Sequence, residues 1–352
     1  LRVAVLFSGD TGFYSGCRKL YVKLQEAIAA GQLRGSVRIL PGISSVVSLA
    51  ARVGESYEDA AIISMHGKKL NHLPTTVVSH EKTFLLTSGS EDIRKIGRML
   101  TEMGLTDCEV IVGYQLSYPE ENIRTLMPEQ CVEVTEEGLY TCLIRNPHPQ
   151  PELLTHGRAD TCFLRDASGT EGKLRRTPMT KEEVREVSIC KLHLTDGAVV
   201  YDIGSGTGSV AVEIAGLSET VHVYAIERKP EAVELLRKNR EHFHMDNMEI
   251  IEALAPEGLE ELPVPTHAFI GGSGGRLMDI LQTLYRKNPH MRIVINAISM
   301  ETIAELQEVL EAFPVEDEEI LQMQVNRVKK LGNYHLPKAE NPVWICSFTF
   351  RE

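Results

Sequence analysis

The chain has 352 residues, of which 43% are hydrophobic and 24% charged. That length and balance suit two globular domains of about 150 residues each and exclude a disordered or fibrous protein. The formal net charge of -12 opposes long-range attraction to nucleic acid and to anionic membranes, so neither is expected as a partner.

No apolar run reaches the ~20 residues that a membrane-crossing helix needs. Leu1 to Leu6 shows no charged leader and no small-residue cleavage site. A cytoplasmic location is therefore expected. The seven cysteines, Cys17, Cys108, Cys131, Cys142, Cys162, Cys190 and Cys346, form no C-x-x-C pair and read as buried free thiols. His242 and His244 stand two apart, which points them to different sides of a helix, and no metal site is expected.

In chain order, Leu1–Phe7 reads as a strand and Gly12–Ala30 as a helix. Val37–Leu40 is expected as a strand, Ser44–Val53 as a helix and Ala60–Ser64 as a strand. Thr83–Thr87 is a further strand, Glu91–Met103 an amphipathic helix, and Glu109–Leu116 and Leu139–Arg145 are later strands. This βαβα rhythm predicts a mostly parallel sheet in an α/β domain. The rhythm breaks at Pro147, Pro149 and Pro151 and through the polar stretch Asp166–Arg176, which reads as a junction between domains 1–155 and 156–352.

A fresh series follows. Thr180 and Glu183 have capping-box spacing, with Thr180 the N-cap of a helix to about His193. Strands are expected at Val199–Ile203, Val221–Ile226, Met248–Ile251, Ala268–Ile270 and Arg292–Ile295. Helices are expected at Ser209–Gly216, Pro230–Phe243, Gly275–Lys287 and Met300–Phe313. Ile320–Val328 and Val343–Phe350 read as two antiparallel tail strands.

The sharpest motif is Asp202-Ile-Gly-Ser-Gly-Thr-Gly208, a glycine loop between a strand and a helix. Glycines there let the backbone turn tightly and a ligand come close, and the following helix start suits a carboxylate. Ser209 stands where a dinucleotide fingerprint needs its third glycine, so the loop suits an amino-acid-bearing nucleoside better than a pyrophosphate. Glu227 ends the next strand, where a carboxylate can bind both ribose hydroxyls. The glycines of Gly271–Gly275 follow the fourth strand and clear space in the same crevice. Ala253-Leu-Ala-Pro256, after the third strand, could frame an adenine. In the N-terminal half, Ser8-Gly-Asp10 and Pro41–Ser45 fall at expected strand ends on one sheet edge and suggest a second crevice.

These residues resemble two families. The C-terminal half is similar to the class I methyltransferases that act on corrinoid precursors, through Pro178–Arg185, Asp202–Gly208, Glu227, Ala255-Pro256, Gly271–Gly275 and Asn341-Pro-Val343. The N-terminal half resembles the tetrapyrrole methylase fold, through Ser8-Gly-Asp10, Pro41–Ser45 and Leu86-Thr-Ser-Gly89. In this order the halves resemble the fused precorrin methyltransferases of cobalamin (vitamin B12) synthesis. The resemblance implies S-adenosyl-L-methionine as cofactor and a precorrin or cobalt-precorrin as substrate. It implies methylation at carbons 5 and 15 with decarboxylation of the acetate on carbon 12, and a dimer or tetramer.

By the same resemblance, Thr180, Gly204, Ser205, Gly206, Thr207, Gly208, Glu227 and Ala255 line the C-terminal cofactor site. Gly9, Asp10, Ser44, Ser45 and Ser88 line the N-terminal one. Two departures stand out. Leu1 already lies in the strand before Gly9-Asp10, so the first strand of the N-terminal fold is missing, and Leu254 stands where the C-terminal family often has Asp. No catalytic side chain is assigned. A polycarboxylate substrate needs local cations, for which Arg327, Lys329 and Lys330 come first, then Lys181, Arg185, Arg175 and Arg176. Two alternatives stand: an RNA methyltransferase, which the charge disfavours, and a non-catalytic N-terminal scaffold.

Overall fold

The computed structural model describes residues 2–65, 72–150, 157–165 and 177–352. Arg175, Arg176 and the rest of the expected junction at 166–176 lie outside the described residues. The chain divides into two compact units, Leu1–Glu152 and Leu153–Glu352.

The N-terminal unit has helices α1 (Cys17–Ala29), α2 (Ser45–Val53), α3 (Leu73–Ser79) and α4 (Ser90–Glu102). Its strands are β1 (Ala61–Ser64), β2 (Lys82–Leu86), β3 (Glu109–Tyr114), β4 (Asn122–Leu126) and β5 (Tyr140–Arg145), in the order β1-β2-β5-β3-β4. Alternation decides the two faces. Leu85, Val110, Val112, Cys142 and Ile144 meet Ile93, Ile96 and Leu100 of α4, while Phe84, Leu86, Ile111 and Leu143 meet Val46, Leu49 and Ala50 of α2.

Three expectations are corrected here. The sheet is not mostly parallel: only β1 and β2 run parallel, and the other three pairings are antiparallel. The crossover through α3 forces the one parallel pair, whereas β4, which periodicity misses, returns directly beside β3. Neither Arg2–Phe7 nor Val37–Leu40 forms a strand. No neighbouring strand takes their backbone groups, and Val3, Leu6 and Leu40 remain exposed. Cys162 and Cys190 are exposed, whereas the other five thiols are buried.

The C-terminal unit has helices α5 (Glu182–Leu192), α6 (Ser209–Ala215), α7 (Pro230–His242), α8 (Leu277–Lys287) and α9 (Met300–Ala312). Its sheet contains β6 (Val199–Ile203), β7 (His222–Glu227), β8 (Met248–Glu252), β9 (His267–Ile270) and β10 (Arg292–Ala297). Beyond them, β11 (Val315–Met323), β12 (Asn326–Leu331), β13 (Tyr334–Ala339) and β14 (Val343–Phe350) complete the strands. The seven-stranded order is β11-β14-β10-β9-β6-β7-β8, parallel from β8 to β10 and antiparallel at β14. Val200, Val223, Phe269 and Val294 face α5 and α6; Tyr201, Ile226, Ile270 and Ile293 face α8 and α9. This doubly wound sheet switches direction between β6 and β9, and a crevice opens there at the carboxyl ends of the strands.

The tail departs from expectation. The segment read as one strand, Ile320–Val328, is split: β11 ends at Met323, and β12 pairs with β13 as a separate hairpin. α7 ends at His242, so His244, with φ +56°, lies beyond the helix.

Thr180 does not cap α5. The cap residue is Lys181, and the Glu182 N–H donates to the Asp160 carboxylate at 3.0 Å. Asp160, distant in sequence, replaces the local hydroxyl because it also binds Lys181 (3.2 Å) and Arg185 (3.5 Å). Arg185 is fully buried, 3.5 Å from the buried Glu213, over the Phe163 ring, and donates to the carbonyls of Arg158 and Thr180. Removing it takes the buried cation away from Asp160 and Glu213 and leaves the Arg158 and Thr180 carbonyls without its donors. Arg185→Leu should cost about 3–5 kcal/mol, read from the urea midpoint of the full chain. A loss below about 1 kcal/mol would show that this network does not anchor the unit.

Candidate functional site

The C-terminal crevice is built from two glycine loops pressed together. Gly204, Gly206 and Gly208 all have left-handed φ, between +59° and +79°. A Cβ on Gly204 would stand 2.6 Å from the Gly272 carbonyl oxygen and 2.8 Å from its nitrogen. No side chain fits between the loops that follow β6 and β9.

Carboxylates hold the first loop in shape. Asp202, 1% exposed, accepts from the Ser205 hydroxyl (2.6 Å) and the Ala211 N–H (3.1 Å), both at Oδ2. Its Oδ1 is buried with no hydrogen-bond partner among the described residues. Burial is the main cause that pushes its carboxyl up to about 7, and the Glu227 charge adds to it. Glu227 ends β7 and reaches the loop that follows the neighbouring strand β6. Its Oε2 accepts from the Gly206 N–H at 2.9 Å, and its Oε1 accepts from the N–H groups of Arg228 and Lys229, each at 2.9 Å. The helix start expected to bind a ligand carboxylate is thus partly occupied from within, because the Ala211 amide already serves Asp202.

The segment 177–181 crosses the loop as a strap. The Pro178 carbonyl lies 3.1 Å from a Cβ built on Gly206, and the Thr180 carbonyl accepts from Arg185 Nη1 at 2.9 Å. Gly204, Ser205, Gly206 and Glu227 therefore come together, with Thr180 two residues along the strap from Pro178 and Ala255 buried after β8. Leu254 meets the second loop, 3.8 Å from a Cβ built on Gly274. Thr207 and Gly208 turn inward instead. Thr207 is wholly buried, with its carbonyl accepting from Asn239, and a Cβ on Gly208 would strike Leu236 of α7 at 2.2 Å.

The expected cations are differently placed. Arg327 binds Glu183 at 2.6 Å and lies 3.8 Å from Asp160. Lys181 and Arg185 are held in the Asp160 network, and burial takes Arg185 out of reach of any substrate. Lys329 and Lys330 are exposed on the β12–β13 hairpin, on opposite faces, paired with Leu336 and His335 respectively.

In the N-terminal unit the two small-residue loops do meet. A Cβ on Gly42 would stand 2.3 Å from the Gly9 carbonyl oxygen. Asp10 accepts from the Gly12 N–H (2.6 Å) and the Gly42 N–H (3.3 Å). Ser44 caps α2, accepting from the Val47 N–H at 3.2 Å. A cavity of about 400 Å³ opens beside Asp10, Gly42, Ser44, Tyr57 and Ile62. Ser45 and Ser88 do not line it; the Ser88 N–H donates to Asp92 at 2.7 Å.

Residues 175–349 match a family model described as a precorrin methyltransferase domain, and residues 1–129 match one for tetrapyrrole (corrin/porphyrin) methylases. A Salmonella typhimurium protein named cobalt-precorrin-6B C(15)-methyltransferase (decarboxylating) is 34% identical over 171 residues, 48% of this chain and 88% of that one. The chain belongs to the precorrin methyltransferase family. A Sinorhizobium protein named precorrin-6Y C(5,15)-methyltransferase (decarboxylating) is 27% identical over 307 residues, 86% of this chain and 70% of that one. A crystal structure titled precorrin-6y C5,15-methyltransferase, from Geobacter metallireducens, is 36% identical with a TM-score of 0.49, covering 55% of this chain and 98% of that one.

Several residues of this precorrin methyltransferase escape sequence reasoning. Asp160 sits in a short 3-10 turn with no motif around it. Arg228 follows Glu227 directly and brings its guanidinium carbon to 4.0 Å from a Cβ built on Gly274. Its place next to Glu227 is the one signal that could have marked it. No helix among the described residues is long and apolar enough to cross a membrane. Among them, no group of His, Cys, Asp and Glu could hold a metal ion.

Two tests follow from this geometry. Gly204→Ala combines a left-handed φ with a backbone collision, so it should cost about 1–3 kcal/mol of stability and loosen both loops. Urea denaturation checks it, and an unchanged midpoint would remove the contact from the site's support. For Asp202, the native carboxyl binds a proton that the unfolded chain has already lost. Its contribution to stability is therefore complete below about pH 4 and is lost as pH rises through 7. Asp202→Asn should flatten the fall of unfolding free energy between about pH 4 and 7. A wild type and variant that run parallel across that range would contradict the assignment.

Proposed function

We propose that the C-terminal unit binds S-adenosylmethionine and methylates carbon 15 of a precorrin, with loss of the carbon-12 acetate carboxyl as carbon dioxide. We propose further that the N-terminal unit methylates carbon 5 from a second S-adenosylmethionine. The observation that carries the reading is the close packing of the two glycine loops opposite Glu227, at the switch point of a doubly wound sheet. The names of the Sinorhizobium and Salmonella relatives support the two positions and the decarboxylation.

The residues fit the cofactor. Glu227 Oε2 takes one hydrogen bond from Gly206 and keeps a lone pair for a ribose hydroxyl. The bare backbone at Gly272, where a Cβ would meet nothing within 4 Å, leaves room for a bulky sulfonium against the main chain. Ala255 and Leu254 offer an apolar seat for an adenine beside backbone groups. Bound S-adenosylmethionine supplies an electrophilic methyl group on sulfur. The chain's task is to hold that methyl in line with a nucleophilic ring carbon, at ~3–3.5 Å. Asp202 fixes the loop, and the Arg185-anchored strap covers it. Arg228 at the rim, with Lys329 and Lys330 on the hairpin, supplies cations for the substrate's carboxylates.

Calorimetry of the full chain with S-adenosylhomocysteine should give two sites per chain, and Glu227→Ala should abolish one of them. One site in the wild type would leave the N-terminal unit a scaffold, and none would end the reading. Reversing Lys329 and Lys330 to Glu should raise KM for a precorrin about tenfold with little change in S-adenosylhomocysteine affinity. Unchanged kinetics would remove both lysines from the substrate surface.

A further inference from the structure

A second cavity, of about 200 Å³, lies at the carboxyl ends of β9 and β10. Leu277, Ile295 and Ile298 form its apolar wall, and Ser273, Ser299 and Thr302 supply hydroxyls. Gly271 and Gly272 form the side shared with the glycine-loop contact. None of the described residues that line it carries a charge.

That neutrality is built rather than incidental. Arg276 follows directly on the second glycine loop, yet its guanidinium is turned to Glu257 (2.6 and 2.8 Å) and Asp279 (3.3 Å). Arg228 lies against Gly274, at the β7 side, and is not among the lining residues. Asn296 is held by the Ser188 hydroxyl at 3.0 Å. Ser299 Oγ is engaged in capping α9, accepting from the Thr302 N–H at 3.2 Å. A carboxylate also borders the adjoining loop: Glu305 Oε1 lies 4.0 Å from a Cβ built on Gly275, and Glu305 Oε2 is buried with no hydrogen-bond partner among the described residues.

A carboxylate paired with Lys or Arg keeps its charge localised, which opposes loss of carbon dioxide. A carboxylate stripped of water among apolar and neutral groups is destabilised relative to a transition state whose charge spreads into a ring. We propose that this cavity receives the acetate side chain that leaves as carbon dioxide and labilises it by desolvating its carboxylate. The inference rests on the precorrin reading above. The bond between the methylene and carboxyl carbons breaks, and its electron pair moves through the methylene carbon into the cationic ring left by methylation. That ring becomes a neutral enamine. Carbon dioxide departs, and a proton from water converts the methylene to a methyl group.

The test introduces a cation where the cavity has none. Ile298 is 61% exposed, so Ile298→Lys can place an ammonium at the rim without disturbing the core. The full chain is incubated with S-adenosylmethionine and a precorrin that carries the carbon-12 acetate, and mass spectrometry counts methyl gain and carbon dioxide loss separately. Carbon dioxide loss per methyl gained should fall at least about tenfold below that of the wild type. Ile298→Met, which adds no charge, should leave that ratio as in the wild type. Equal falls in both, or no change in either, would overturn the proposal. Failure of the underlying reading looks different, because the wild type itself would then transfer no methyl group to the precorrin.

Discussion

In the C-terminal unit backbone presses against backbone where Gly204 meets Gly272. Each loop leaves the carboxyl end of a strand, β6 or β9, at the point where the sheet changes winding direction. Strands that part there open a crevice, and only residues without a side chain let the two rims come together at its base. The placing of Glu227, the strap at 177–181 and the cavity beyond Gly272 all depend on that contact. A side chain at Gly204 would spread the rims and move each of them.

Around this contact the unit spends its charges on position. Asp202 holds the first loop from beneath, and Glu227 holds it from the end of the neighbouring strand β7. Asp160, Arg185 and Glu213 form a buried network that fixes the start of α5 and, through the Thr180 carbonyl, the strap. A buried Arg with two carboxylates is costly to desolvate, so its worth lies in setting one geometry more than in adding stability. Lys329 and Lys330 stand apart from this network, exposed on the β12–β13 hairpin. In a protein of net charge -12, this sorts the crevice into a cationic rim at Arg228 and a neutral recess at Ser273, Ile298 and Thr302.

The N-terminal unit repeats the principle with different parts. Gly9 and Gly42 touch through the main chain, and Asp10 ties the two loops by accepting from Gly12 and Gly42. The segments that lead into those loops are unpaired, so here the loops are held by their mutual contact and by α2 instead of by strands beneath them.

Much of this was legible in the sequence. The strands β6 to β10 and helices α6 to α9 follow from period-2 and period-3.6 apolar patterns, within a residue or two at each end. The glycine loop and Glu227 follow from spacing alone, because turn chemistry and strand ends are local properties. Tertiary structure decided what depends on distant partners. It determined that Asp160 and not Thr180 caps α5, that Arg185 and Arg327 are bound inward, and that Thr207 and Gly208 pack against α7. It likewise left Arg2–Phe7 unpaired despite a strand-like pattern, and made the N-terminal sheet mainly antiparallel. Periodicity reports which face of an element is apolar. Which strand lies beside it, and which charge lies opposite, is a matter of three-dimensional neighbours that local pattern does not encode.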